Sequence, residues 1–243
     1  MELSGEIANW IKKQVEKTGK KGIVFGLSGG IDSAVLANLA KMAMDNKVLG
    51  LILPCKSSAE DAELAIKAAG KAGIETEEVS LDKVFDEFAS MCPGRSTTAE
   101  GNLKPRLRMA VLYYFANILN YLVAGTSNKS ELSIGYFTKY GDGAVDILPM
   151  GSLLKTEVRE LARELGVPEE IIKRPPSAGL WKGQTDEGEI GLTYNELDGA
   201  ILAIEKNETQ GIDKKVLEKV KRMMEGSEHK KAKIPIFKKG DSI

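Results

Sequence analysis

Residues 23–36 read Ile-Val-Phe-Gly-Leu-Ser-Gly-Gly-Ile-Asp-Ser-Ala-Val-Leu. An apolar run enters the turn Ser28-Gly29-Gly30 and leaves as a helix with an apolar face. Strand, glycine loop and helix in that order aim backbone N–H groups and a helix N-terminus at an anion. Gly26, Leu27, Ser28, Gly29, Gly30, Ile31, Asp32 and Ser33 are therefore candidate phosphate contacts. The glycines permit close approach and positive φ, and Ser28 and Ser33 add hydroxyl donors. Asp32 is the odd member. A carboxylate beside a phosphate is repulsive unless a cation lies between them, so Asp32 points to Mg²⁺.

A second carboxylate stands in Gly125-Thr-Ser-Asn-Lys-Ser-Glu131. Thr126 or Ser127 would serve in isolation as an ordinary helix cap. Paired with Asp32, however, Glu131 would hold Mg²⁺ against a triphosphate, favouring attack at the α-phosphate with pyrophosphate leaving. Arg106 and Arg108, in Asn102-Leu-Lys-Pro-Arg-Leu-Arg108, are placed near the start of a helix over 103–119. Cations are disfavoured there unless an anion is bound. Lys155, in Leu154-Lys-Thr156, raises the same point. Residues 136–143 (Tyr-Phe-Thr-Lys-Tyr-Gly-Asp-Gly) are dense in polar and aromatic groups, with Asp146 close behind. Cys55 follows Pro54 without a Cys-x-x-Cys partner and reads as a thiol near a nucleotide pocket rather than a nucleophile. His229, the sole histidine, lies in a basic tail from 227 onward that is expected to be mobile.

The elements that must position these groups follow from periodicity. Strands are expected at 22–27, 48–53, 75–81, 121–124 and 144–148, the third nearer a sheet edge. Helices are expected at 3–17, 31–45, 58–72, 82–90, 103–119, 153–165, 194–206 and 213–225, with a loop over 93–101. Pro105 falls in the first turn of its helix, where proline is tolerated. Alternation of strand and helix implies an α/β fold with a doubly wound parallel sheet. Ligands bind such sheets at the carboxyl ends of the strands, which brings the loops 28–33, 54–58 and 125–131 together. The stretch 174–192 is a long loop rich in turn formers, of the kind that is functional or disordered.

The 243 residues carry a formal net charge of −1, which argues against binding long nucleic acids by bulk electrostatics. No apolar run reaches the roughly 20 residues of a membrane span. There is no signal-peptide pattern at the N-terminus, and two cysteines make neither a disulfide framework nor a zinc site. The expectation is a cytoplasmic protein with reduced thiols.

The loop Ser28-Gly-Gly-Ile-Asp-Ser33 lacks the Gly-Lys-Ser/Thr of a Walker A loop and the third glycine of the dinucleotide fingerprint. It resembles the pyrophosphate loop of the N-type ATP pyrophosphatases. With the motifs already quoted, Thr138-Lys-Tyr-Gly-Asp142, Pro176-Ser-Ala-Gly-Leu-Trp-Lys-Gly-Gln-Thr-Asp-Glu187 and Ser227-Glu-His-Lys230, nearly the whole chain is similar to the ammonia-dependent NAD synthetases. That resemblance implies a Rossmann-like, adenine nucleotide alpha hydrolase-like fold in one domain over 1–243. Its ATP pyrophosphatase core would span about 20–170, with a mobile loop over 176–190 and a helical, basic segment over 194–243.

It also implies a reaction. The carboxylate of deamido-NAD is adenylated by Mg-ATP, and ammonia then displaces AMP. Gly26 to Ser33, Thr126, Lys155 and Ser177 would contact ATP. Asp32 and Glu131 would bind Mg²⁺. Arg106, Lys139, Asp146, His229 and Lys230 would contact deamido-NAD. Asp142 and Lys155 would be catalytic, Asp142 by positioning or deprotonating ammonium. A homodimer with the dinucleotide site at the subunit interface is implied too, and Trp10 or the tyrosines of the 103–121 region would supply it or lie in the core. Ser177 stands where many members have threonine, and Lys231 where arginine is common. No fused glutamine amidase domain is expected. Other readings are another adenylating enzyme of this fold, similar to GMP synthetase or a tRNA thiolase, or a non-catalytic ATP- or AMP-binding module.

Overall fold

A computed structural model describes residues 2–238 apart from Arg95 and Lys182. Lys182, within the expected loop motif, and 239–243, at the end of the expected tail, thus lie outside the described residues. Four strands, β1 (Ile23–Gly26), β2 (Val48–Ile52), β3 (Glu75–Glu78) and β4 (Leu122–Val123), form one parallel sheet in the order β3-β2-β1-β4. Residues of β1 alternate between two cores, as the pleat requires. Ile23 and Phe25 face α1 (Leu3–Thr18), α2 (Ile31–Met44) and α3 (Ala59–Ala72). Val24 faces α4 (Asp82–Met91) and α5 (Thr97–Leu119). β3 is the exposed edge, and its three glutamates blunt it against further pairing.

The remaining helices are α6 (Lys129–Ile134), α7 (Lys155–Glu164), α8 (Glu169–Lys173), α9 (Asp186–Ile190), α10 (Tyr194–Lys206), α11 (Lys214–Gly226) and α12 (Glu228–Lys231). α6, α10 and α11 share a third core around Leu197, Ile201 and Val220. This core packs on α6 and α7.

Three expectations are corrected. Residues 97–101 are helical rather than loop. The Ser96 side chain accepts the Ala99 N–H and starts α5 there, leaving Pro105 inside the helix and Arg106 and Arg108 well past its N-terminus. The fifth strand over 144–148 is reduced to one parallel bridge, Ala124 with Ile147. The Asp146 carboxylate takes the Val123 N–H at 2.8 Å, which a strand ladder would otherwise use. The tail is folded as far as 231. Ser227 is buried, and the Lys230 ammonium donates to the carbonyls of Gly135 and Phe137 at 2.8 and 2.9 Å.

α2 is the hub, packed on α1, α3, α7 and the sheet, and Leu36 within it is fully buried. Leu36→Ala is expected to cost about 2–5 kcal/mol through lost burial and a residual cavity. Urea unfolding followed by circular dichroism checks this. A loss under ~1 kcal/mol would contradict that placement of the core.

Candidate active site

A cavity of about 1000 Å³ opens at the carboxyl ends of β1, β2 and β4. Its floor is the 26–33 loop. Gly30 is extended and precedes α2, so the first turn of α2 faces the cavity. The two serines tie the loop to itself. Ser33 Oγ accepts the Ser28 N–H at 3.2 Å and donates to the Gly30 carbonyl at 2.9 Å, and Ser28 Oγ accepts the Gly30 N–H at 3.3 Å. Gly29 is turned away from the cavity. It has φ +79°, and a Cβ there would lie 2.4 Å from the Asp61 carbonyl, so it seats the loop on α3.

The strongest electrostatic feature stands beside this loop. Lys155, 1% exposed, opens α7 and donates to Asp32 Oδ2 at 2.6 Å and to Glu131 Oε1 at 3.0 Å. Burial alone would push the Lys155 pKa down, but the two carboxylates override it and hold the ammonium firmly protonated. Burial pushes Glu131 up, to about 7, with Lys155 pulling against it and the like charge of Asp32 adding to it. The Tyr194 ring lies 5.0 Å from the Lys155 ammonium and stabilises it further.

Asn128, fully buried, organises both acids. Its Nδ2 donates to Asp32 Oδ1 at 2.9 Å, and its Oδ1 accepts the Glu131 N–H at 3.1 Å, while Glu131 Oε2 accepts the Asn128 N–H. The sequence reading missed Asn128. Its signal was the capping pattern Asn-x-x-Glu before a helix.

Asp32 and Glu131 suit a hard cation. They are oxygen donors, and a positive charge already stands between them. No group of three or more acidic, histidine or cysteine side chains that could hold a metal ion occurs among the described residues. Mg²⁺ held by one or two carboxylates takes its remaining ligands from phosphate and water, so the pair fits a metal that arrives with a triphosphate.

The other wall combines α5 with the 135–145 loop. Arg108 lines the cavity and is fixed by the Leu53 carbonyl and Ser57 Oγ, at 3.1 and 3.2 Å. Asp142 also lines it and accepts the Thr138 N–H at 2.9 Å. Its pKa is raised by burial, with that N–H, Arg108 and Lys230 pulling against the rise. Thr126, Ser177 and Lys230 line the same space. Arg106, Lys139, Asp146 and His229 do not. Lys139 donates to the His229 carbonyl at 2.6 Å, and Arg106 donates to the Lys139 carbonyl at 3.3 Å, as a cluster outside the cavity. The Asp146 carboxylate is engaged by the Tyr113 hydroxyl and the Val123 N–H.

The 176–190 loop covers the cavity and ends as α9. Its ends meet where the Asp186 N–H donates to the Pro176 carbonyl at 2.9 Å. The Tyr194 hydroxyl donates to one oxygen of buried Asp186 at 2.9 Å, and the Tyr136 hydroxyl lies 3.2 Å from the other and 2.8 Å from Glu189 Oε2. The Trp181 ring lies over Gly101 of α5. These loop anchors were also missed, the Tyr136–Asp186 and Trp181–Gly101 contacts because they join residues far apart in sequence.

Removing Lys155 would leave two carboxylates facing each other without a cation. Lys155→Met is expected to destabilise the ligand-free protein by about 3 kcal/mol, with added Mg²⁺ restoring part of the loss. Thermal melts with and without Mg²⁺ measure this, and an unchanged midpoint would refute the role given to the ammonium.

The chain matches the NAD synthase family over residues 3–234. It is 47% identical over 235 residues to an NH3-dependent NAD(+) synthetase of Carboxydothermus hydrogenoformans, covering 95% of this chain and 94% of that one. A solved NMN synthetase of Francisella tularensis superposes with TM-score 0.89 at 39% identity, covering 97% of this chain and 98% of that one. An NH3-dependent NAD synthetase of Campylobacter jejuni, solved with nitrate, gives TM-score 0.86 at 30% identity, with 97% of each chain covered.

Proposed function

The chain belongs to the NAD synthase family, and from that premise we propose how its cleft carries out the ATP-dependent amidation of deamido-NAD to NAD with ammonia. The reading rests above all on the juxtaposition of Asp32, Glu131 and Lys155 beside the glycine loop. The 26–33 loop and the start of α2 receive the ATP phosphates, with Thr126 and Ser177 as further contacts. Asp32 and Glu131 hold Mg²⁺, which when bound supplies charge neutralisation for the departing pyrophosphate. Lys155 then turns from the carboxylates to the phosphates and carries its positive charge to the developing negative charge.

The acceptor carboxylate of deamido-NAD attacks the α-phosphorus and pyrophosphate leaves. Ammonia next attacks the carbonyl carbon of the acyl-adenylate and AMP leaves. Asp142, on the opposite wall, positions the ammonium and takes a proton from it. The raised pKa of its buried carboxyl suits a proton acceptor. The 176–190 loop excludes water, which would hydrolyse the adenylate.

Arg106, Lys139 and His229 lie outside the cavity of their own chain. We propose that they and Lys230 meet the far part of the dinucleotide in a homodimer, with Asp146 supporting that wall through Tyr113 and β4. Val84, Phe88 and Met91 of α4 and Tyr114 and Ile118 of α5 are exposed on two helices packed together, which supports burial by a second copy. Trp10, 41% exposed on α1, lies on a different helix from that patch. The whole chain then works as one catalytic unit. The unpaired thiols of Cys55 and Cys92 accord with a reducing, cytoplasmic setting. No described helix is long and apolar enough to cross a membrane.

The test is NAD formation by purified protein with Mg-ATP and deamido-NAD, given ammonium chloride or glutamine in parallel. NAD is expected with ammonium alone. A parallel reaction offers nicotinate mononucleotide, because of the likeness to an NMN synthetase. Amidation of the mononucleotide in preference to deamido-NAD would overturn the acceptor assignment. Pyrophosphate release without amidation of either would mark another adenylating enzyme, and binding without pyrophosphate release a nucleotide-binding module.

A further inference from the structure

Asp198 is a buried carboxylate, 3% exposed, that none of the substrate contacts above uses. It lies on α10, four residues after Tyr194, so the two share a face of that helix. Its Oδ1 accepts a short hydrogen bond from the Ser130 hydroxyl, and its Oδ2 accepts the Thr156 N–H at 2.9 Å. Ser130 Oγ in turn accepts the Lys155 N–H at 2.9 Å. One carboxylate thus joins the first turn of α6, which carries Glu131, to the first turn of α7, which carries Lys155. Both turns carry N–H groups that have no partner within their own helix, and a negative charge is favoured at such an end. From the same helix, the Tyr194 ring backs the Lys155 ammonium.

We propose that Asp198 is a positioning residue for adenylation. It sets the spacing between Glu131 and Lys155, so that α10 serves as the template on which the two groups from separate helices are registered. The inference deepens the reading of the cleft given above and rests on it. A displacement of about an ångström between such groups is enough to slow a reaction by about a hundredfold. Ser130 alone would not fix the spacing, because a hydroxyl rotates. The carboxylate holds it by engaging the backbone of α7 at the same time.

The experiment compares wild type with Asp198→Asn, Ser130→Ala and the double variant. An amide at 198 can keep Oδ1 on the Thr156 N–H, but it removes the negative charge and sets an N–H donor where Oδ1 accepted from the Ser130 hydroxyl, so the charge-assisted bond to α6 is replaced by a weaker one of reversed direction. With each protein assayed well below its own melting midpoint, Asp198→Asn is expected to lower kcat at least about tenfold and to raise KM for Mg-ATP. KM for deamido-NAD should stay within about twofold, since its contacts come from other elements. Ser130→Ala should fall in the same direction but less, because the charged carboxylate still holds the Thr156 N–H of α7. The losses in the double variant should be less than additive, because Ser130 and Asp198 act on the same junction between α6 and α7.

A folded Asp198→Asn protein with wild-type kcat and KM would overturn the proposal, as a residue that only stabilises the fold would lower the melting midpoint alone. If Asp198→Asn does not fold, unchanged kinetics in Ser130→Ala overturn it instead. A wild type that forms no NAD overturns the reading of the cleft and this inference with it. An active wild type with unaffected variants overturns this inference only.

Discussion

One ammonium held between two carboxylates is the constraint on which the site depends. Lys155 meets Asp32 and Glu131 at 2.6 and 3.0 Å in a nearly closed environment. Three charges brought so close and so far from water would be costly in any other arrangement. They come from α2, α6 and α7, so their meeting fixes how those helices end at the sheet. The same geometry makes the site ready for its substrates. In the proposed reading, two acids already spaced around one positive charge would need little rearrangement to accept a divalent metal, with the lysine already beside the 26–33 loop.

The surroundings of this trio explain why it stays in place. Asn128 holds both acids from one side, and α10 supports the lysine from the other. The Asp186 carboxylate extends the network into the covering loop through Tyr136 and Tyr194. Tyr194 therefore touches the lysine with its ring and the loop with its hydroxyl. Cover and charge centre are thus joined by one side chain.

Much of this was legible before any coordinates, for identifiable reasons. The phosphate loop is local, so strand, glycines, serines and Asp32 could be read in a single pass. Glu131 was legible because a turn and cap after an apolar run place it at a strand end. The start of α5 was not, because Pro105 was read as a first-turn proline, whereas the Ser96 cap starts the helix well ahead of it. The 144–148 segment carried a strand's composition, but the Asp146 side chain competes for the N–H that pairing needs. Asn128, Asp186, Tyr194 and Asp198 act through partners remote in sequence. For Asp198 the available sign was an acid interrupting the apolar face Tyr194, Leu197, Ile201. Arg106, Lys139 and His229 were recognised by motif, and their place outside the cavity follows only from the fold.

The central claim is that this charge centre activates a carboxylate by adenylation before ammonia reacts. Exchange of labelled pyrophosphate into ATP, measured without ammonia, tests it most directly. The account predicts exchange that requires deamido-NAD and disappears in Asp32→Ala. Exchange that proceeds without the dinucleotide, that needs ammonia, or that survives in the variant would contradict it.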